Sequence, residues 1–175
     1  MNIIMLGAPG TGKGTVSSIL KEKLNIAHVS SGDIFRKFSN EDSELGKEIK
    51  SYIEKGNLVP DELTIKMIQE RLKEKDVENG VILDGFPRNL EQAKEYDKIL
   101  EKSGRDLGMV ILIDIPKEML VKRITGRYMC KDCGAIYNIY SEEMAPKKPG
   151  ICNKCNGELY QRKDDNIESL EVRYQ

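Results

Sequence analysis

The sequence has no apolar run that approaches the roughly 18 residues of a membrane-spanning helix. Its first apolar run, residues 2–6, is also too short for the hydrophobic part of a secretory signal, and it leads directly into a glycine-rich turn. The net charge is −1, so no general excess of basic charge attracts nucleic acid or membranes. We therefore expect a cytoplasmic protein that binds neither, in which any anion site arises from local geometry.

Histidine and arginine are also scarce. The single histidine, His28, offers little for general base catalysis, and we interpret it as structural. Six of the eight arginines lie at or beside other motifs: Arg36, Arg88, Arg123, Arg127, Arg162 and Arg173. Because the guanidinium group binds phosphate in bidentate geometry and keeps its charge, this placement favours phosphate binding. The alternative is solvated surface charge, which we assign to Arg71 and Arg105.

Short apolar runs alternate with segments of helical spacing over the first 126 residues. Strands are predicted at 2–6, 26–30, 80–84 and 109–115, and helices at 15–24, 89–102, 116–126 and, with breaks, 33–73. The strands are continuous apolar runs, which is typical of a parallel sheet covered on both faces. The chain is therefore predicted to have an α/β fold. A different module begins at Tyr128, and helix-like sequence returns at 162–175.

A glycine-rich segment with the pattern G-x-x-x-x-G-K, Gly7-Ala-Pro-Gly-Thr-Gly-Lys13, follows the first strand and opens a helix. In this context the backbone N–H groups and the helix N-terminus bind phosphate, and the lysine reaches the transferred group. The loop hydroxyl stands at Thr15, one place later than in the common P-loop. Asp84 ends a strand where an acid that orients magnesium would lie. The alternatives are an ordinary glycine turn and a turn-forming aspartate.

Four cysteines form two Cys-x-x-Cys pairs, Cys130 with Cys133 and Cys152 with Cys155, separated by eighteen residues. This spacing matches a known zinc pattern. Four thiolates make a closed tetrahedral site, so the predicted metal is structural rather than catalytic. Redox dithiols or free thiols are the alternative reading, and iron is the alternative metal.

Together these segments resemble the adenylate kinase family, over nearly the whole chain. Ser30-Ser-Gly-Asp-Ile-Phe-Arg36 looks like its Thr-Gly-Asp-x-x-Arg segment, which holds AMP. Gly56-Asn-Leu-Val-Pro-Asp-Glu62 is similar to the hinge that lines the AMP adenine. Asp84-Gly-Phe-Pro-Arg88, followed by Gln92, resembles the segment that binds the AMP phosphate and reads adenine. Arg123-Ile-Thr-Gly-Arg127 looks like the segment with two ATP-side arginines.

The resemblance implies a set of roles for individual residues. It implies ATP contacts from Gly10, Thr11, Gly12, Lys13, Gly14, Thr15, Arg123, Arg127, Ile136 and Tyr137. It implies AMP contacts from Ser31, Arg36, Asn57, Leu58, Val59, Gly85, Phe86, Pro87, Arg88, Gln92, Arg162 and Arg173. The implied catalytic group is Lys13, Asp84, Arg88, Arg123, Arg162 and Arg173. Zinc held by Cys130, Cys133, Cys152 and Cys155, and magnesium bound with ATP, are the expected metals.

The resemblance also implies a P-loop NTPase-like parallel sheet with flanking helices, a helical AMP-binding insertion and a zinc-ribbon lid. The expected divisions are a core at 1–30, 60–126 and 162–175, the insertion at 31–59, and the lid at 127–161. Family members continue beyond the position of Gln175 with a last strand and a closing helix. We therefore expect strand 109–115 to be an exposed apolar edge in this chain.

The expected function is reversible phosphoryl transfer, ATP plus AMP to two ADP, by a monomer. Three alternatives are weighed against it. The chain could be a P-loop kinase for CMP or UMP, although Gln92 and the Gly-Phe-Pro-Arg segment favour AMP. It could be a truncated kinase that binds nucleotide with poor turnover. It could be a zinc-ribbon module that binds nucleic acid, although acidic ribbon residues offset the basic ones.

Overall fold

A computed structural model of the chain describes residues 1–55 and 57–174, without the side chains of Arg173 and Tyr174. Contacts divide the chain into two compact units, which are described separately. The first unit comprises Met1–Gly7, Gly12–Ile53 and Leu58–Ile113, and the second comprises Ala8–Thr11, Glu54–Asn57 and Asp114–Gln175. Within the described ranges, no helix is both long and apolar enough to cross a membrane.

The helices and strands alternate along most of the chain. Their bounds are β1 (Asn2–Leu6), α1 (Lys13–Leu24), β2 (Ala27–Ser30), α2 (Ser31–Ser39), α3 (Glu44–Glu54), α4 (Asp61–Arg71), β3 (Val81–Asp84), α5 (Leu90–Ser103), β4 (Leu107–Leu112), α6 (Lys117–Thr125), β5 (Arg127–Cys130), β6 (Ile136–Asn138), β7 (Leu159–Tyr160) and α7 (Ile167–Tyr174). A short 3₁₀ turn at Lys75–Val77 precedes β3.

The first unit is built on a four-stranded sheet in the order β2-β3-β1-β4. All three pairings are parallel, which confirms the predicted α/β fold with a parallel sheet. Successive residues of β1 face opposite cores: Ile4 packs with Leu83 and Phe86 on one side, and Ile3 and Met5 pack with Ile82 on the other. Burial on both faces explains why these strands are continuous apolar runs.

The edge strand β4 differs from the other three strands. Met109, Val110 and Leu112 are 51%, 48% and 68% exposed. Among the described residues the strand pairs with one neighbour, β1, and its exposed apolar side chains confirm the expected apolar edge. Its predicted bounds were wrong, because the strand runs over Leu107–Leu112 and not over 109–115.

Several helix bounds also differ from the predictions, for local reasons. Helix α1 begins at Lys13, since Gly12 adopts the left-handed conformation (φ 102°) immediately before it. The Asn89 cap of α5 is confirmed, with its side chain accepting from Gln92 N. The helix predicted at 162–175 is wrong over its first five residues. Helix α7 starts only at Ile167, where the Asn166 side chain accepts from Ser169 N at 2.8 Å.

The second unit contains an antiparallel sheet in the order β6-β5-β7. Cys130, Tyr137, Cys152 and Leu159 form its small buried cluster. A separate cluster joins α6 to α7 through Leu120, Ile124 and Leu170. The β-rich module expected after Tyr128 is therefore present. The division into core, insertion and lid stays a prediction.

Replacing Leu83 by alanine should lower the free energy of unfolding by about 2–5 kcal/mol, because the side chain is fully buried in the core cluster with Ile4 and Phe86. Urea denaturation followed by circular dichroism measures the change. The matched control is Leu90→Ala at a 68% exposed helix position, for which we expect a change within about 0.5 kcal/mol. Equal losses in the two variants would contradict this assignment of the core.

Candidate active site and metal centre

Three neighbouring strands of the parallel sheet end at the same edge. Strand β2 leads into Ser31, β3 leads into the segment from Asp84 to Arg88, and β1 leads into Gly7. Ligands of open parallel sheets bind outside the carboxyl ends of the strands. The order β2-β3-β1 thus brings the predicted AMP segments and the start of the predicted phosphate loop to adjacent strand ends.

The phosphate loop leads into a helix whose first N–H groups have no capping side chain among the described residues. Uncapped N–H groups at a helix N-terminus favour anion binding. The Lys13 ammonium donates to the Gly7 carbonyl at 2.7 Å, across the ends of the loop. A glycine is needed at Gly10, where φ is +86° and a Cβ atom would lie 2.8 Å from Ile124 Cγ1.

Arg123 lies on the last turn of α6 and reaches the loop within the second unit. Its guanidinium donates to the Thr11 carbonyl at 3.1 Å. The Thr11 hydroxyl and amide both bond back to the Ala8 carbonyl, at 3.0 and 3.3 Å. Two residues predicted to contact ATP, Thr11 and Arg123, are therefore in direct contact.

The predicted AMP-phosphate residues converge on a single carbonyl group. The Ser31 hydroxyl and Arg88 Nε each donate to Gly85 O, both at 2.7 Å. Gly85 has φ +76°, and a Cβ atom there would lie 2.7 Å from Ser31 Oγ, so the close approach requires glycine. Arg36 forms an ion pair with Asp33 at 2.5 Å on the first helix after β2.

The predicted adenine reader, Gln92, has both ends of its amide occupied. Its Oε1 accepts from Arg88 N at 2.8 Å, and its Nε2 donates to Asp61 Oδ1 at 2.7 Å. Asn89 Nδ2 donates to the same Asp61 carboxylate. Sequence reasoning missed Asp61, because its bond to Gln92 spans 31 residues. Asp61 is part of the predicted hinge segment 56–62, and its place at the start of a helix was the available signal.

Other predicted AMP contacts differ widely in exposure. Leu58 is 46% exposed and Val59 is 5% exposed. Asn57 is exposed, and Pro87 is half-buried. Phe86 is fully buried, edge-on to Tyr96 with ring centroids 6.0 Å apart. Any ligand contact from Phe86 would therefore come from its backbone.

Asp84, the predicted magnesium-orienting acid, is half-buried at the end of β3. Its Oδ2 lies 3.7 Å from His28 Nε2, on the neighbouring strand β2. The same oxygen lies 3.9 Å from the position of a Cβ on Gly14, close to the start of α1. Thr15 is exposed one residue later. Asp84 thus lies beside the helix that the phosphate loop opens.

The arginine of β5 forms a buried ion pair within the second unit. Arg127 donates through Nε to Asp165 Oδ2 at 2.9 Å and through a terminal nitrogen to Oδ1. The Asp165 side chain is 1% exposed. Sequence reasoning assigned Arg127 to ATP and did not identify this carboxylate. The Arg162 carbonyl accepts from Asp165 N at 3.1 Å, and the Arg173 side chain lies outside the described residues.

The four cysteine sulfurs form a compact cluster in which all lie within 4.8 Å of one another. The Cys130–Cys155 and Cys133–Cys152 sulfur distances are 3.4 and 3.6 Å. A tetrahedral site with Zn–S bonds of about 2.3 Å separates its sulfurs by about 3.8 Å. The donor set and spacing therefore fit zinc.

Ile136 and Tyr137, the two residues of this module that are predicted to contact ATP, differ in their burial and in their hydrogen bonds. Ile136 is half-buried, and Tyr137 is 6% exposed, with its hydroxyl 3.2 Å from Cys152 Sγ. Burial alone would raise the pKa of Cys152, but hydrogen bonds from Tyr137 and from backbone amides lower the pKa to about 6. Metal binding favours such a sulfur, because the ligand is the thiolate.

A family model described as "Adenylate kinase" matches residues 5–175. An adenylate kinase of Clostridium tetani is 49% identical over 170 residues, which cover 97% of this chain and 78% of that protein. One of Clostridioides difficile is 49% identical over 175 residues, which cover 100% and 80%. One of Staphylococcus aureus strain Mu50 is 47% identical over 173 residues, which cover 99% and 80%. The family model and these relatives agree with the parallel sheet and the glycine-rich loop of this chain. The chain therefore belongs to the adenylate kinase family.

Proposed function

We propose that the chain transfers a phosphoryl group reversibly between MgATP and AMP, forming two ADP, through the residues described above. The observation that best supports this proposal is the strand order β2-β3-β1. Ser31, the segment from Asp84 to Arg88, and Gly7 at the start of the loop follow adjacent strands to the carboxyl end of the parallel sheet, where such sheets bind ligands. As a member of the adenylate kinase family, the chain is a nucleoside monophosphate kinase.

The acceptor in this reaction is a phosphate oxygen of AMP, which is already anionic near neutral pH. No strong general base is needed, which agrees with a chain that has one histidine. Catalysis by positioning and charge neutralisation suits a loose, metaphosphate-like transfer. Lys13 and Arg123 would contact the ATP phosphates, and Arg36 and Arg88 the AMP phosphate. Asp84 would orient the magnesium that arrives with ATP.

Three of these cations donate to backbone carbonyls that a nucleotide phosphate can replace as acceptors. Lys13, Arg88 and Arg123 each donate to a backbone carbonyl. A phosphate oxygen carries charge and accepts stronger hydrogen bonds than a carbonyl. Exchange toward nucleotide is therefore favourable for this group. Arg127 is bound to a carboxylate instead, so its proposed ATP contact requires a costlier exchange.

The four-cysteine cluster would hold zinc as a structural metal. When bound, the ion supplies a cross-link between the two Cys-x-x-Cys turns, with no open coordination position. The β6-β5-β7 sheet has only a small buried cluster, and small modules commonly need such a staple. We also propose that Ile136 and Tyr137 approach ATP from this module; they follow Cys133 closely in sequence. A cytoplasmic location and a monomeric state complete the proposal.

The competing hypothesis is that the chain is a kinase that phosphorylates CMP or UMP. Gln92 distinguishes the bases, since an amide pairs well with the donor and acceptor edge of adenine. A coupled assay over AMP, CMP, UMP and GMP with ATP decides between them. We expect AMP to be used with the highest kcat/KM, and a preference for CMP or UMP would overturn the assignment.

Replacing Lys13 by methionine should lower kcat about 10²–10³-fold, because one preorganised positive charge at the transferred phosphate is lost. Steady-state kinetics of ADP formation measures the effect. Lys21→Met, at an exposed position in the last turn of the same helix, is the matched control and should keep kcat within about twofold. A Lys13→Met enzyme with normal kcat would rule out this role of the loop.

Replacing Asp61 by asparagine should raise the KM for AMP about 10-fold while the KM for ATP changes little. The substitution removes a charged acceptor from Gln92 and Asn89, and one such hydrogen bond is worth about 1.5 kcal/mol. Glu62→Gln, at the adjacent exposed position of α4, is the control. Equal KM values for AMP in Asp61→Asn and the control would contradict a positioning role for Asp61.

Replacing Asp165 by asparagine should lower the free energy of unfolding by about 3 kcal/mol, because the half-buried Arg127 guanidinium loses the buried carboxylate that it binds in bidentate geometry. Thermal and urea denaturation measure the loss. Glu158→Gln breaks the exposed pair with Lys131 in the same unit and should cost at most about 1 kcal/mol. If both variants lost the same small amount, the Arg127–Asp165 pair would not be a buried structural element.

A further inference from the structure

The four cysteines of the metal centre differ in their surroundings. Cys130 and Cys152 are buried, while Cys133 and Cys155 are exposed. Cys152 is 0% exposed and lies beside the hydroxyl of Tyr137 at 3.2 Å. In the described part of the chain, no other non-cysteine side chain forms a hydrogen bond with a cluster sulfur. One sulfur is therefore singled out by a side-chain partner.

The neighbours of Tyr137 determine the direction of this hydrogen bond. The backbone N–H of Asn153 donates to the Tyr137 oxygen at 2.8 Å. An N–H group can only donate, so the tyrosine oxygen is an acceptor in that bond and its own proton remains for another partner. A metal-bound cysteine is a thiolate without a proton. The chain of donors therefore runs from Asn153 N–H to the Tyr137 hydroxyl and on to Cys152 Sγ.

A second donor completes the arrangement at this sulfur. The backbone N–H of Lys154 points to Cys152 Sγ at 3.3 Å. The Tyr137 ring is itself held in the buried cluster with Cys130, Cys152 and Leu159. It lies on β6, directly across from Tyr128 on β5. The packing of the ring and its two hydrogen bonds hold the hydroxyl beside the sulfur.

We propose that Tyr137 is a positioning residue of the metal centre, whose hydroxyl orients the Cys152 thiolate and so governs how tightly the metal is retained. The inference rests on the proposed metal centre. Outer-shell partners of metal ligands typically contribute about 10–100-fold in metal affinity. A phenylalanine would also leave the Asn153 N–H without its acceptor, in the turn that carries Cys152 and Cys155.

The test compares Tyr137→Phe with Tyr128→Phe in the full chain. Tyr128 is a matched control, because its ring is the cross-strand neighbour and packs on the same cluster. Zinc affinity is measured by competition with a chromophoric chelator. We expect Tyr137→Phe to bind zinc about 10–100-fold more weakly than the natural chain, and Tyr128→Phe to match the natural chain.

Cobalt substitution gives a second readout that is independent of activity. A hydrogen bond to a thiolate lowers the energy of its electrons, so losing the bond should move the sulfur-to-cobalt charge-transfer band to longer wavelength in Tyr137→Phe only. Identical zinc affinity and an identical band in the two variants would overturn the role of Tyr137. Failure of the natural chain itself to bind zinc or cobalt would instead overturn the metal centre, and this inference with it.

If Tyr137→Phe does not fold, the natural chain loaded with ¹¹³Cd decides the question. A through-hydrogen-bond coupling between the Tyr137 hydroxyl proton and ¹¹³Cd is expected by NMR. The Lys154 amide proton, which donates to the same sulfur, is the internal positive control. Coupling at Lys154 without coupling at Tyr137 would overturn the proposal.

Discussion

The parallel pairing of β2, β3 and β1 is the constraint on which the first unit depends. Parallel strands must be joined by crossover segments, so the helices cover the faces of the sheet and the loops collect at the strand ends. Gly7, Ser31 and Asp84 are distant in sequence, but they lie at the carboxyl ends of adjacent strands. Without this order, the same motifs would be separate turns rather than parts of one phosphoryl-transfer enzyme.

Three side chains that are proposed to contact phosphate share a second physical feature. Lys13, Arg88 and Arg123 all donate to backbone carbonyls formed by nearby glycine-rich or loop segments. Each cation is thus oriented before a nucleotide arrives, and orientation in advance reduces the entropy lost on binding. Arg127 departs from this pattern, because a buried carboxylate holds it in bidentate geometry. Its position contributes to the stability of the second unit.

Much of the first unit could be predicted from sequence, because its patterns are local. The apolar run of β1 and the Asn89 cap each involve residues within a few positions of one another, and so does each Cys-x-x-Cys pair of the second unit. The errors concern where an element begins and ends, because its bounds depend on hydrogen-bond partners that the periodic pattern does not record. The exposed edge strand was predicted correctly, but its bounds were wrong, because β4 pairs with β1 over Leu107–Leu112 and not over 109–115. Residues 162–166 were predicted to be helical but lie before α7, because the Asn166 side chain caps the helix, which begins at Ile167.

The sequence by itself determined the fold class, and it identified the glycine-rich loop and the four cysteines as candidate sites, because fixed spacings of glycine, lysine and cysteine encode local backbone geometry. Only the tertiary structure decided which acceptors hold the functional side chains. The carboxylate of Asp61 is 31 residues from Gln92, Asp165 is 38 residues from Arg127, and Cys152 is 15 residues from Tyr137. A hydrogen bond depends on distance in space, and no periodicity along the chain records a contact between residues that only folding brings together.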